Sequence, residues 1–192
     1  MRILIAVTLL ALASEPAAAG PPAPWLCSVP SVVVGNLSGQ TIGDGFVVVV
    51  RRASGAPFPG AYVQVIFPPG GPRPLVEQEP GTSVDCATRT MTRLADADGV
   101  AVFHPRIAGH TETDAVDVRA AGVLLRHVSV RSTDLDGNGA VDLIDFQRFA
   151  VNFLHAPTAP ETDYDQNGRT DARDFDFFRR DFVAGARGTL CP

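Results

Sequence analysis

The chain has 192 residues, of which 45% are hydrophobic and 19% charged, and its mean hydropathy is +0.12. This apolar share is ordinary for a globular protein and excludes a wholly disordered chain. The formal net charge is −5, and all 16 basic residues are arginines without a basic run, which argues against nucleic acid as a partner.

The first 19 residues have the pattern of a secretory signal peptide. Arg2 supplies a positive charge, residues 3–13 are apolar, and residues 17–19 are small alanines suited to cleavage before Gly20. The apolar run is too short to cross a bilayer, which needs about 20 residues, and an uncleaved anchor is the alternative. We therefore predict a protein that is secreted or held at the cell surface.

Export would bring the three cysteines into an oxidising compartment, where disulfides persist. Cys27, Cys86 and Cys191 allow one bond and one leftover thiol, and the sequence leaves the pairing open. A Cys27–Cys86 bond would join the start of the first module to a strand within it, and we take it as the first expectation. A Cys27–Cys191 bond would join the two ends of the exported chain.

Residues 28–131 are predicted to form an all-β module. Seven short runs rich in β-branched residues alternate with Gly, Pro and Asp clusters, as in a β-sandwich. The runs are residues 31–34, 46–50, 61–67, 88–94, 100–103, 116–120 and 123–130. Val63, Val65 and Phe67 alternate and should form one buried face, whereas the proline-rich residues 68–74 should form an exposed loop.

Two phrases of this module resemble a known family. Residues 55–63 read GAPFPGAYV and residues 95–103 read ADADGVAVF, which is similar to bacterial immunoglobulin-like domains of the invasin type and related carboxypeptidase-regulatory-like folds. The resemblance implies an immunoglobulin-like sandwich that acts as a spacer or a stalk. Asp96 and Asp98 in the second phrase are expected to form a turn, with Gly99 supplying a positive φ.

Residues 132–184 contain a duplicated unit. Residues 132–154 and 161–183 align at an offset of 29, with identity at ten of 23 positions. Each copy begins with an acidic loop, DLDGNGAVDLID at 134–145 and DYDQNGRTDARD at 163–174, and continues into a predicted helix. Phe146, Phe149 and Phe153 fall on one helical face, as do their counterparts Phe175, Phe178 and Phe182, and the two aromatic stripes should pack together.

The spacing within each loop suits a calcium ion. Calcium is a hard cation that takes six to eight oxygen ligands, and alternate residues of a tightly wrapped loop can supply them around a sharp turn at glycine. The predicted ligands of two ions are Asp134, Asp136, Asn138, the carbonyl of Ala140, Asp142 and Asp145, and Asp163, Asp165, Asn167, the carbonyl of Arg169, Asp171 and Asp174. Eleven acidic residues and five arginines lie between 134 and 181, so the region would repel itself without a cation.

The duplicated pattern of acidic loop and aromatic helix resembles the type I dockerin. The resemblance covers residues 132–184 and implies a small α module that is not catalytic, binds two calcium ions and docks a cohesin-like protein domain. It places the partner surface at loop positions 10 and 11 and late in the second helix. These residues are Leu143, Ile144, Ala172, Arg173, Arg179 and Arg180.

The first copy offers the aliphatic residues Leu143 and Ile144, and the second copy offers arginines. We expect the arginines to dominate docking, because Leu143 and Ile144 would prefer an apolar groove or the module's own core. Residues 185–192 are left as a C-terminal tail.

No catalytic motif is found, so the sequence predicts a mixed fold without enzymatic activity: an immunoglobulin-like sandwich followed by a dockerin-like calcium module. The expected function is protein assembly. The alternative is an accessory carbohydrate-binding component of a secreted polysaccharide-degrading assembly, which an exposed platform of Trp25, Tyr62 and Tyr164 would favour.

Overall fold

The computed structural model describes residues 20–40, 43–111 and 113–192, so the predicted signal peptide lies outside the described residues. The described residues are mostly β-sheet with two helices. The strands are β1 Val32–Gly35, β2 Phe46–Val49, β3 Tyr62–Ile66, β4 Arg73–Pro74, β5 Thr82–Asp85, β6 Thr90–Leu94, β7 Val100–Phe103, β8 Ile107–Ala108, β9 Val116–Ala120 and β10 Val123–Ser132. The helices are α1 Leu143–His155 and α2 Ala172–Ala184, and no helix in the described ranges is long and apolar enough to cross a membrane.

Six strands form one sheet in the order β1-β10-β9-β3-β6-β5, in which only β1 and β10 run parallel. Strands β2 and β7 form an antiparallel pair whose inward side chains, including Phe46 and Phe103, join the core of the six-stranded sheet. All seven predicted runs contain a strand. The mixed, sheet-rich fold class is therefore confirmed, and the immunoglobulin-like assignment stays a prediction.

The alternation predicted for β3 is confirmed. Val63 and Val65 are fully buried, and Phe67 just after the strand is buried with them. The turn before β7 is also as expected, because Asp96 Oδ1 accepts from the backbone N–H of Val100 at 2.9 Å. Gly99 has a φ of +74°, and a Cβ there would lie 2.5 Å from the carbonyl oxygen of Val50. The Asp96 carboxylate is thus used to fold the turn.

The proline-rich segment differs from the prediction of an exposed loop. Its last two residues form β4, which pairs antiparallel with β8, and Pro74 is buried. A proline is tolerated here because the pairing of β4 with β8 covers only two residues and Pro74 is the last of its strand. The carbonyl of Pro74 accepts from the backbone N–H of Cys191, outside this pair, at 3.1 Å. The expectation holds only for Pro69 and Gly70, which are exposed.

The Cys27–Cys86 bond that we expected is wrong. The disulfide joins Cys86 to Cys191, with the two Cα atoms 4.9 Å apart, and Cys27 is a free thiol. The physical reason is the path of residues 185–192, which return along the β region. Leu190 forms a β-bridge with Leu75, and this pairing carries Cys191 to the turn after β5. Cys27 Sγ instead accepts from the backbone N–H of Arg51 at 3.3 Å.

A second hydrophobic core joins the β region to the two loop–helix copies. Its members are Leu37, Leu75 and Ala108 from the β region and Leu135, Val141, Phe149, Tyr164, Phe178 and Ala186 from the rest of the chain. The predicted contact between aromatic stripes is confirmed within it, since the rings of Phe149 and Phe178 stack with centroids 5.0 Å apart. The duplicated segment therefore shares its interior with the β region.

Candidate metal centre

The two acidic loops are closed by the first turns of α1 and α2. Each helix begins with a capping box, in which Asp142 or Asp171 is the N-cap and the aspartate three residues later accepts from the N-cap backbone N–H. The distances are 2.9 Å from the N–H of Asp142 to Asp145 Oδ2 and 2.8 Å from that of Asp171 to Asp174 Oδ2. The loops thus have one design repeated at an offset of 29 residues.

The first aspartate of each loop organises the backbone around it. Asp134 Oδ1 accepts from the N–H of Gly137 at 2.8 Å, and its Oδ2 accepts from that of Gly139 at 2.7 Å. Asp163 Oδ2 accepts from Gly168 at 2.9 Å in the same way. Gly139 and Gly168 have φ values of +88° and +89°, as the sharp turn predicted at loop position 6 requires.

Three carboxylates meet in each loop. Oxygen atoms of Asp134, Asp136 and Asp145 lie within 4.8 Å of one another, and so do those of Asp163, Asp165 and Asp174. The first and last member of each cluster are buried. Two buried acidic clusters can therefore each hold a metal ion, which the sequence predicted at these positions.

The other predicted ligands lie around the clusters. Asp142 and Asp171 are outside them, and their carboxylates accept from the backbone of the helices that they cap. The side chains of Asn138 and Asn167 accept from the backbone N–H of Ala140 and Arg169, at 2.8 and 2.9 Å. Of the four aspartates predicted as ligands in each loop, the structure thus brings three together.

Burial of these carboxylates makes their negative charge costly. Burial raises the pKa of Asp134 to about 7, and the neighbouring Asp145 carboxylate adds to the shift, although the backbone N–H of Gly139 opposes it. Burial likewise raises the pKa of Asp145 and of Asp174. Clustered carboxylates with raised pKa values gain stability from a cation that replaces their protons.

The two clusters differ in their nearest positive charge. Arg131 donates to the backbone carbonyl of Asp163, and its Nη1 lies 3.4 Å from Asp163 Oδ2. Burial lowers the pKa of Arg131, and the charge of Asp163 opposes that shift. Among the described residues the first cluster has no such ion pair, so its net charge is more negative.

Two buried residues near the clusters were not predicted. Asp181 Oδ2 accepts from the backbone N–H of Leu37 at 3.0 Å and from the hydroxyl of Thr133, so it joins α2 to the β region. Tyr164, inside the second loop, packs in the shared core and donates to the carbonyl of Ser132 at 3.3 Å. The sequence held one signal for Asp181, which is that the two copies differ at this position: Asp181 aligns with Asn152 of the first copy.

Leu143 and Ile144 were expected to prefer either an apolar groove or the protein's own core, and the structure excludes the core. Their exposed fractions are 73% and 50%, because they lie on the side of α1 opposite the buried Phe149. Ala172 and Arg173 at the equivalent positions of α2 are exposed too.

Two further predicted partner residues lie in the second half of α2. These residues, Arg179 and Arg180, are exposed and already donate to Asp176, at 2.7 and 2.8 Å.

Three aromatic residues were considered for a carbohydrate platform. Of these, Trp25 and Tyr62 are exposed and Tyr164 is buried.

No family model, curated protein or solved structure matches this chain.

Proposed function

We propose that the protein is an exported, non-catalytic calcium-binding protein that assembles with another protein through its duplicated loop–helix segment. The observation that carries the proposal is the repeated geometry of the two buried acidic clusters. Each loop wraps its backbone N–H groups around the first aspartate and closes on the last, which leaves oxygen atoms converging in its interior.

Calcium is the ion that this donor set favours. Aspartate, asparagine and backbone carbonyl oxygens are hard donors, and the loops offer no nitrogen or sulfur ligand for zinc or copper. The order of the donors, at positions 1, 3, 5, 7, 9 and 12, is that of a calcium loop with Asp in place of Glu at its end. The dockerin resemblance of residues 132–184 gives the same two ions.

We expect calorimetric titration of the metal-free protein to give about two calcium ions per chain. Asp134→Ala should remove the first site and Asp163→Ala the second, because each substitution deletes both the first ligand and the acceptor that wraps its loop. Each variant should then bind one ion. The matched control is Asp176→Ala, which deletes a carboxylate outside both clusters, on a side chain that is 45% exposed, and should leave two. Zero stoichiometry in the unaltered chain would contradict the calcium proposal.

The partner surface is best placed on α1. Leu143, Ile144, Val151 and Leu154 are exposed, and their helical positions fall within about 100° of one another, opposite Phe149. The equivalent face of α2 carries Ala172, Arg173, Arg180 and Val183. An exposed aliphatic face gains free energy when a partner covers it, whereas Arg179 and Arg180 are already paired with Asp176.

Replacing Leu143 and Ile144 together by serine should weaken capture of the partner by about a hundredfold or more. The reason is that burial of each side chain contributes roughly 1.5–3 kcal/mol and about 1.4 kcal/mol is tenfold in affinity. The measurement is calcium-dependent binding of the partner captured from the culture fluid of the source organism. Calcium stoichiometry should not change.

Arg179→Ala with Arg180→Ala is the comparison variant. Its effect should be smaller, because exposed ion pairs contribute about 0–1 kcal/mol. If the arginine variant loses the partner and the serine variant keeps it, the docking face lies on α2 instead.

A further inference from the structure

An open cleft of about 520 Å³ lies between the β region and the first acidic loop. Arg73 and Arg89 line it from the β region, and Arg148 lines it from α1. The one side-chain carboxylate in its lining is that of Asp136, which belongs to the first acidic cluster, and Pro192, the last residue of the sequence, lines the cleft too. The cleft therefore gathers three positive charges in a chain whose net charge is −5.

None of these three arginines forms a salt bridge with a carboxylate of the described residues. Each guanidinium is held by backbone carbonyl oxygens instead. Arg73 Nη2 donates to Gly137 at 2.9 Å, and Arg148 Nη1 donates to Leu135 at 3.1 Å. A guanidinium has five N–H donors in a planar fork that matches an oxyanion, so most of these donors remain for a ligand.

Arg89 is positioned by a constrained turn. Its backbone has a φ of +52°, which is uncommon for a residue with a side chain and is found at functional sites. Its Nη2 donates to the carbonyl oxygens of Gly71 and Pro72, at 3.0 and 2.9 Å, and its buried Nε has no hydrogen-bond partner. Burial and the nearby charge of Arg73 lower the pKa of Arg89. An anion in the cleft would relieve this repulsion.

The first acidic loop supplies the carbonyls that hold two of the three arginines. Gly137 and Leu135 both lie in this loop, so Arg73 and Arg148 keep their positions only while the loop is wrapped. A calcium ion in the loop would hold it wrapped and would also add two positive charges beside the cleft.

We propose that this cleft binds an oxyanion, a carboxylate or sulfate group, through Arg73, Arg89 and Arg148, and that calcium in the first loop strengthens the binding. The site is separate from the α1 face proposed for the partner protein. Only the dependence on calcium rests on the proposed function. The cleft's volume and openness suit a small anion or one acidic group of a sugar.

The test is an NMR titration of the arginine Nε–H resonances in the full exported chain at constant ionic strength. The probes are sodium sulfate and sodium glucuronate, with glucose as the neutral counterpart of glucuronate. We expect saturable shifts of the Arg73 and Arg89 resonances with at least one anion and none with glucose. A response to sulfate alone indicates an inorganic oxyanion, and a tighter response to glucuronate indicates an acidic sugar.

Arg148→Gln and Arg89→Gln should each weaken binding of the anion at least tenfold. Arg148 is the safer variant for folding, because Arg89 also holds the proline-rich segment through Gly71 and Pro72. Arg187→Gln is the matched control, since Arg187 is exposed and outside the cleft. Shifts that stay linear with concentration, or that persist in Arg148→Gln, would overturn the proposal.

The titration is repeated in calcium and in chelator. Weaker binding of the anion in chelator supports the coupling, and equal binding overturns it. A chain that binds the anion but takes up no calcium in calorimetry would contradict the proposed function and leave the cleft intact. A chain that binds calcium but neither anion would contradict only the cleft.

Discussion

Removing calcium is expected to lower the unfolding temperature of the whole chain by about 10–20 °C. An ion present at about 100 times its dissociation constant stabilises the folded state by about 2.7 kcal/mol, and two sites contribute about twice that. In a domain of this size each kcal/mol shifts the unfolding temperature by about 2–4 °C. Thermal unfolding with saturating calcium and with chelator measures the difference.

The whole chain should respond because the acidic loops and their helices do not have an interior of their own. Leu37 and Leu75 of the β region pack in one core with Phe149 and Phe178 of the helices. The buried bond from Leu37 to Asp181 crosses the same boundary. The sequence, interpreted as two modules, predicts that chelator melts residues 132–184 and spares the β region. The shared core changes that expectation.

Two probes followed in the same melt decide between these outcomes. The native NMR resonances of Phe149 and Phe178 follow the shared core, whereas those of Val63 and Val118 follow the sheet. We expect both signals to shift together when calcium is removed. A second transition that chelator leaves in place would show that the β region unfolds independently. Magnesium is the ionic control, because it prefers a smaller and more rigid octahedral site.

The sequence predicted the parts of the structure that depend on local chemistry. The loops were found because spacing of oxygen donors, a glycine at the turn and a following helix are all encoded within 23 residues. Seven of the ten strands were found for the same reason, since β-branched runs and turn residues alternate along the chain, whereas β4, β5 and β8 were not predicted. Even the aromatic contact between the helices follows from the helical period of each stripe.

What the sequence did not predict depends on contacts between distant residues. The bond from Cys86 to Cys191 spans 105 residues, and it forms only because the C-terminal residues return to Leu75. Exposure of Leu143 and Ile144 depends on which side of α1 faces the shared core. The arginine cleft joins Arg73 in β4, Arg89 in the turn between β5 and β6, and Arg148 in α1. No motif in the sequence marks it.

Replacing Cys86 and Cys191 together by serine is expected to destabilise the protein by about 4–5 kcal/mol. A disulfide restricts the unfolded chain more as the enclosed loop grows, and a loop of about 100 residues corresponds to about 4.7 kcal/mol. The loop here spans 105 residues, so the unfolding temperature should fall by about 10–20 °C. Thermal and denaturant unfolding of the variant measure both quantities.

Cys27→Ser is the matched control, because Cys27 is the free thiol and its replacement should cost much less. The double variant should also bind calcium more weakly in the first loop. Residues just before Cys191 pair with that loop, with the N–H of Gly188 donating to the carbonyl of Gly139 at 3.0 Å, and the disulfide anchors them there. Loss of stability in Cys27→Ser as large as that in the double variant would show that the pairing is different. Unchanged calcium affinity of the first loop in the double variant would show that the C-terminal residues hold their place without the bond.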